Sequence, residues 1–233
     1  MKILDCMDYH FSWPYHQKLS EQMKNYLISL NIEEPIGVYL DVPQEVEPED
    51  VGWAFIRNRM VYVRPTNDYA EFELRLAHEL THIALIDQGY KRIVCAGDDD
   101  LDFAFANLLH HLVLYPRLVA GGFSLRQDTK LVMKNLKDRL NNYRNLSVVY
   151  KYEGGIEYSI ILLINDLIRL EPSEVENFLL EANTVVPELI SQAQYILGLL
   201  GYRTYQATVE DYIKYKLLIE YNLGLGTYTW VCS

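Results

Sequence analysis

Cysteine is scarce and scattered. The 233 residues hold three, Cys6, Cys95 and Cys232, with no Cys-x-x-Cys pair and an odd total. That pattern suits a reducing compartment better than a disulfide framework, and a chain of this length buries a core without covalent staples. Long apolar runs are missing as well. The longest, Ile160 to Ile164, falls far short of the roughly 18 to 20 residues a membrane-crossing helix needs, so no membrane partner is expected. Positive charge is the third shortage. Lys and Arg number 21 against 32 Asp and Glu, for a net charge of −11, which opposes nucleic-acid phosphates and speaks against nucleic acid as a ligand. The first 20 residues break up their apolar positions with Lys2, Asp5, Asp8, His10 and His16. No secretory signal is read there, and a cytoplasmic location is expected. Internal repeats and Gly/Ser/Pro linkers are also lacking, which favours one domain, or a catalytic region of residues 1–125 followed by a helical region of 126–233 with a soft boundary.

What is present reads as an α+β chain. Leu19, Met23, Tyr26, Leu27 and Leu30 repeat at helical spacing over His16 to Leu30, and Pro35 ends that regime. Ile36 to Val42 alternates as a strand. Trp53 to Ile56 and Met60 to Val63, joined across Arg57-Asn58-Arg59 and stopped by Pro65, read as a hairpin. The expected architecture is a small antiparallel sheet packed on a helix that runs from the cap Asp68, boxed with Glu71, to Gly89. A second helix starts after Gly97 with Asp98, Asp99 and Asp100 in its first turn and ends before Pro116 or by Gly121-Gly122. The remaining half is mostly helical, with segments near Thr129 to Asn142, Ile156 to Leu170, Ser173 to Glu181, Pro187 to Leu200 and Thr208 to Tyr221. Ser173 with Glu176 repeats the capping-box pattern.

The chemistry sits in His78-Glu79-Leu80-Thr81-His82. Residues four apart on a helix share a face, about 5 to 6 Å apart at Cβ, so His78 and His82 can present ring nitrogens to one metal with Glu79 beside it. Zinc (Zn2+) held by three protein ligands keeps a position for water and lowers that water's pKa to about 7, and Glu79 then serves as general base. The neighbours Leu76, Leu80, Thr81, Ile83 and Ala84 are all uncharged, as a buried metal-bearing helix requires. The second helix offers the third ligand. His111 shares a face with Asn107 and Tyr115, a polar stripe on an apolar helix, whereas His110 shares its face with Phe103, Ala106 and Leu114. His111 is the reading adopted, with His110 in reserve and Asp100 and Asp102 as oxygen ligands of last resort. Tyr115 is a candidate donor to an oxyanion, and Asn107 is either an outer partner of the metal site or a core-lining amide. His10 and His16, flanking Trp13-Pro14, read as surface or packed residues. Asp98 to Asp102 lacks the glycine and distal glutamate of a calcium loop, and Cys95 reads as structural.

Ala77-His78-Glu79-Leu80-Thr81-His82-Ile83-Ala84 resembles the active-site helix of the zincin metallopeptidases. Hairpin, motif helix and a ligand-bearing helix ending in Pro116, over about residues 36 to 122, are similar to the gluzincin arrangement of the ImmA/IrrE-like peptidases. Their second helix supplies a glutamate ligand near an Ala-Asn pair, which Ala106-Asn107 matches. Phe105 stands where that glutamate would be, so His111 has to substitute. The resemblance implies a zinc-dependent intracellular peptidase acting on a protein or peptide. The alternatives are a zinc-containing binding or regulatory protein without turnover and a hydrolase of some non-peptide bond. The residues carry no signal of oligomeric state.

Overall fold

The structure, a computed structural model, describes residues 19–34, 36–39, 52–55, 59–64, 66–91, 93–94, 99–145, 155–170, 172–201, 207–225 and 229–230. The chain divides into two compact units. The first holds α1 (Glu21–Leu30), β1 (Gly37–Tyr39), β2 (Gly52–Phe55), β3 (Met60–Val63), α2 (Tyr69–Asp87) and residues 117–124.

Helix α1 starts where Ser20 caps it, the Ser20 hydroxyl accepting from the Met23 N–H at 3.1 Å. The buried Glu73 of α2 holds this cap in place, accepting from the Ser20 N–H at 2.7 Å and from its hydroxyl at 2.6 Å. Met23, Tyr26, Leu27 and Leu30 are the buried residues of α1, one stripe at helical spacing. Each of the aliphatic members contributes about 1.5–3 kcal/mol of burial. Of the expected span, residues 16–18 lie outside those described.

The sheet differs from the expectation of an antiparallel one. Its order is β1-β3-β2 and it is mixed: β2 runs antiparallel to β3 (Gly52↔Val63 to Phe55↔Met60), while β1 runs parallel to β3 (Gly37↔Met60 to Tyr39↔Tyr62). A short hairpin connection dictates the antiparallel pair. Between Tyr39 and Met60, by contrast, the chain is long enough for the crossover that parallel pairing needs. In the parallel register Tyr39 and Tyr62 stack at 5.0 Å, and Val38, Val61 and Val63 form the buried row. Helix α2 packs on β2 and β3. The expected strand residues Ile56 and 40–42 lie outside those described.

Both ends of α2 are capped as the sequence implies, with one change of detail. Asp68 accepts from the N–H groups of Ala70 and Glu71. The return half of the capping box is relayed: Asp68 N–H donates to Thr66 Oγ1, which donates to Glu71. At the other end Gly89, with φ 92°, donates to Ile86 and Tyr90 donates to Leu85, the paired bonds of a Schellman stop. Residues 121–123 repeat this geometry around Gly122, φ 84°. Gly121 allows a close approach, since a Cβ there would meet the Tyr26 ring at 2.5 Å. Thr81 donates its only hydroxyl proton to the Ala77 carbonyl at 2.6 Å. The Tyr26 hydroxyl, 2.7 Å away, is therefore the donor in the bond that ties α1 to α2.

The second unit holds β4 (Ile93–Val94), α3 (Asp99–Ala120) as far as Pro116, α4 (Arg126–Asn145), α5 (Ile156–Leu167), α6 (Pro172–Ala182), α7 (Pro187–Leu200), α8 (Val209–Leu223) and β5 (Thr229–Trp230). Helix α5 packs on α4 and α7, and α7 on α6 and α8, around Leu136, Ile160, Ile164, Ile190 and Ile196. An ion pair joins Arg139 of α4 to the buried Asp166 of α5. Burial pushes the Asp166 carboxyl above its ordinary range, against the opposing pull of Arg139 and Arg169. Of the two endings expected for α3, the later one holds. Pro116 removes one helical hydrogen bond, and the buried Leu114, Tyr115 and Leu118 offset that loss. Ser173 is not the cap of α6, because Pro172 takes the first helical position, where a missing N–H costs nothing. Thr208, expected only as the start of a helical segment, caps α8 in a closed box with Asp211. The antiparallel pairing of β4 with β5 was not anticipated, and two residues are too few to show a period.

Replacing Tyr26 with Phe deletes the bond to Thr81 and should lower stability at pH 7 by about 1 kcal/mol, measured by urea denaturation. Burial pushes the Tyr26 hydroxyl up to about 12, outweighing the effects of Thr81 and Arg117, against about 10 in an unfolded chain. Its contribution is therefore complete below pH 10 and lost as pH rises through 12. The wild type should lose its advantage over Tyr26→Phe across that window. Tyr69, also raised to about 12 by burial and the Glu73 carboxylate, cancels in the difference.

Candidate metal centre

His78 and His82 lie one turn apart on α2. Their Nε2 atoms are 3.2 Å apart and their ring centres 4.9 Å, with the planes at 67°. His82 is buried and His78 half-buried. The opposite side of the helix presents Leu76, Leu80 and Ile83 to the core. Apolar burial on that side fixes the rotation of α2 and with it the direction of the two rings. Glu79 follows His78 by one residue, about 100° further round the helix, and is 8% exposed.

His111, on α3, is also buried. Its Nδ1 is 2.6 Å from Oδ1 of Asn165 on α5. A side-chain amide oxygen only accepts, so Nδ1 carries the proton and Nε2 is the nitrogen with a lone pair. The other side of the His111 ring meets Tyr115, ring centres 4.9 Å apart. The Arg169 guanidinium lies 5.7 Å from the centre of the Tyr115 ring.

One ligand atom from each of His78, His82 and His111 lies within 4.8 Å of the other two. Three histidines so placed can bind a metal ion. Zinc–nitrogen bonds of 2.0–2.1 Å in tetrahedral geometry separate neighbouring ligand atoms by about 3.3 Å, which the 3.2 Å between His78 and His82 matches. Among the described residues no carboxylate or thiol joins the group. Three nitrogens without a fourth protein ligand are the donor set of an open site rather than of a closed structural one.

The remaining candidates separate clearly. His110, buried on α3, stands outside the trio and packs near the Tyr212 ring, centres 6.0 Å apart. Neighbouring residues on a helix point about 100° apart, so only one of the adjacent pair can join a given cluster. Asp102 is buried and outside the trio, Phe105 is fully buried, and Asn107 is half-buried. Tyr115 is 1% exposed. His10, His16, Cys95, Asp98 and the side chain of Asp100 lie outside the described residues. Sequence reasoning missed Asn165. Its signal was the polar pair Asn165-Asp166 closing the longest apolar run of the chain.

No family model, curated protein or solved structure matches the chain.

His111→Ala should weaken zinc or cobalt binding by more than the roughly 10- to 100-fold expected for loss of an outer partner. His110→Ala should keep one metal per chain and instead lower stability by about 1–3 kcal/mol. Metal titration with parallel chemical denaturation separates the two, and equal metal loss in both variants would rule out the assignment of His111.

Proposed function

We propose that this protein is a zinc-dependent hydrolase, an intracellular metallopeptidase of the HExxH type that cleaves a protein or peptide. The observation that carries the reading is the trio His78, His82 and His111 with the buried Glu79 adjoining it in α2. Zinc in such a site supplies a Lewis acid and a water with its pKa lowered to about 7.

The protein's own groups supply the rest. His78, His82 and His111 hold the metal as neutral imidazoles, each using one ring nitrogen. Glu79, too far round the helix to join them as a ligand, takes the proton of the attacking water as general base and returns it to the leaving amine. Tyr115, one turn beyond His111, is assigned the developing oxyanion, to which a phenolic hydroxyl donates. An extended peptide can add to an edge strand of a sheet by main-chain pairing, and β1 and β2 are the outer strands of the described sheet.

The likeness to the ImmA/IrrE-like peptidases supports this reading at the motif and departs from it at the third ligand. The buried Phe105 stands at the glutamate position, and a histidine six residues on takes the role. Replacing a carboxylate ligand with a neutral imidazole raises the net charge of the metal site by one unit, which favours the deprotonated form of a bound water.

Glu79→Gln should keep the metal, measured by elemental analysis, and lose about 10²- to 10⁴-fold in cleavage, read as new termini on a protein digest by mass spectrometry. One zinc per chain with no cleavage by the wild type would instead favour a zinc-containing binding protein. A wild type that takes up no zinc would defeat both readings.

A further inference from the structure

We propose that Asn165 is a positioning residue of the metal centre: its side-chain oxygen holds the Nδ1 proton of His111 and so presents Nε2 to the metal. The proposal rests on the reading of His111 as a ligand and adds what selects its tautomer and ring orientation.

A neutral imidazole carries one proton on one of two nitrogens, and only the other nitrogen can ligate. Free histidine prefers the proton on Nε2, the wrong tautomer for an Nε2 ligand. The 2.6 Å contact from His111 Nδ1 to Asn165 Oδ1 reverses that preference. The ring is also held in angle, because Tyr115 packs 4.9 Å from it, centre to centre.

Asn165 is itself held by its helix. Ile161, Ile164 and Ile168 around it are buried, and the Arg139–Asp166 ion pair fixes the rotation of α5 one residue on. The contact is half of a two-by-two match. His111 and Tyr115 are four apart on α3, Asn165 lies on α5 and Arg169 in the turn two residues past its end, and they meet as His111 with Asn165 and Tyr115 with Arg169. His111 and Tyr115 share a face of α3, so a slip of α3 by one residue breaks both contacts together. Two matched contacts therefore determine the register of His111.

An amide at this position has a chemical consequence. A carboxylate partner would raise the basicity of the imidazole and add a negative charge beside the metal, whereas the neutral Asn165 orients the ring and leaves the charge of the site unchanged.

The test begins with the metal-free protein, labelled with nitrogen-15 at histidine. Long-range nitrogen–proton correlation spectra should show His111 protonated at Nδ1 in the wild type and at Nε2 in Asn165→Leu. Zinc and cobalt affinity should fall about 10- to 100-fold in Asn165→Leu, and Asn165→Asp should bind at least as tightly as the wild type. A merely structural role would lower affinity in both variants, in step with a loss of thermal stability. His111 protonated at Nε2 in a wild type that binds zinc would overturn this inference and leave the metal centre standing. A wild type that binds neither ion would overturn the reading beneath it as well, whatever the tautomer.

Discussion

Burying an imidazole takes both of its ring nitrogens out of water, and each must then find a partner or cost free energy comparable to a lost hydrogen bond. His82 and His111 are buried and His78 is half-buried. Their polar atoms converge within 4.8 Å of one another. One metal ion could accept lone pairs from all three at once. For His111 the nitrogen turned to Asn165 is satisfied separately. Within each unit, separate interactions hold these side chains in place.

Within the first unit the means are caps and packing around α2. Asp68 and the Gly89 stop determine where the helix begins and ends. Packing on β2 and β3 and the Tyr26–Thr81 bond hold its other sides. Thr81 has two roles here, since it lies inside the His-Glu-x-x-His segment and meets Tyr26 of α1. In the second unit the same end is met differently, by matching α3 to α5 through paired contacts at helical spacing. Local hydrogen bonding serves the first case and tertiary register the second.

Much of the fold was legible in the residues. The cap Asp68, the stops at Gly89 and Gly121-Gly122, and the long helices all announce themselves by spacing and local chemistry. The mixed sheet was not legible. Alternation in Val61 and Val63 shows which side is buried, and strand direction leaves no trace in a period of two. Ser173 misled because Pro172, one residue earlier, is the better helix starter. The likeness to the ImmA/IrrE-like group implied a family, and its fate depends on the metal and on turnover rather than on the backbone.

The sequence by itself determined the pairing of His78 with His82, because a four-residue spacing becomes a shared face through backbone geometry alone. It also determined that Glu79 would flank them. Only the tertiary structure places His111, and not His110, in the trio, and it alone supplied Asn165. That choice depends on the rotation of α3 against a residue more than fifty positions away. Helix rotation follows from how whole apolar faces pack, a property of distant side chains together that no local spacing records.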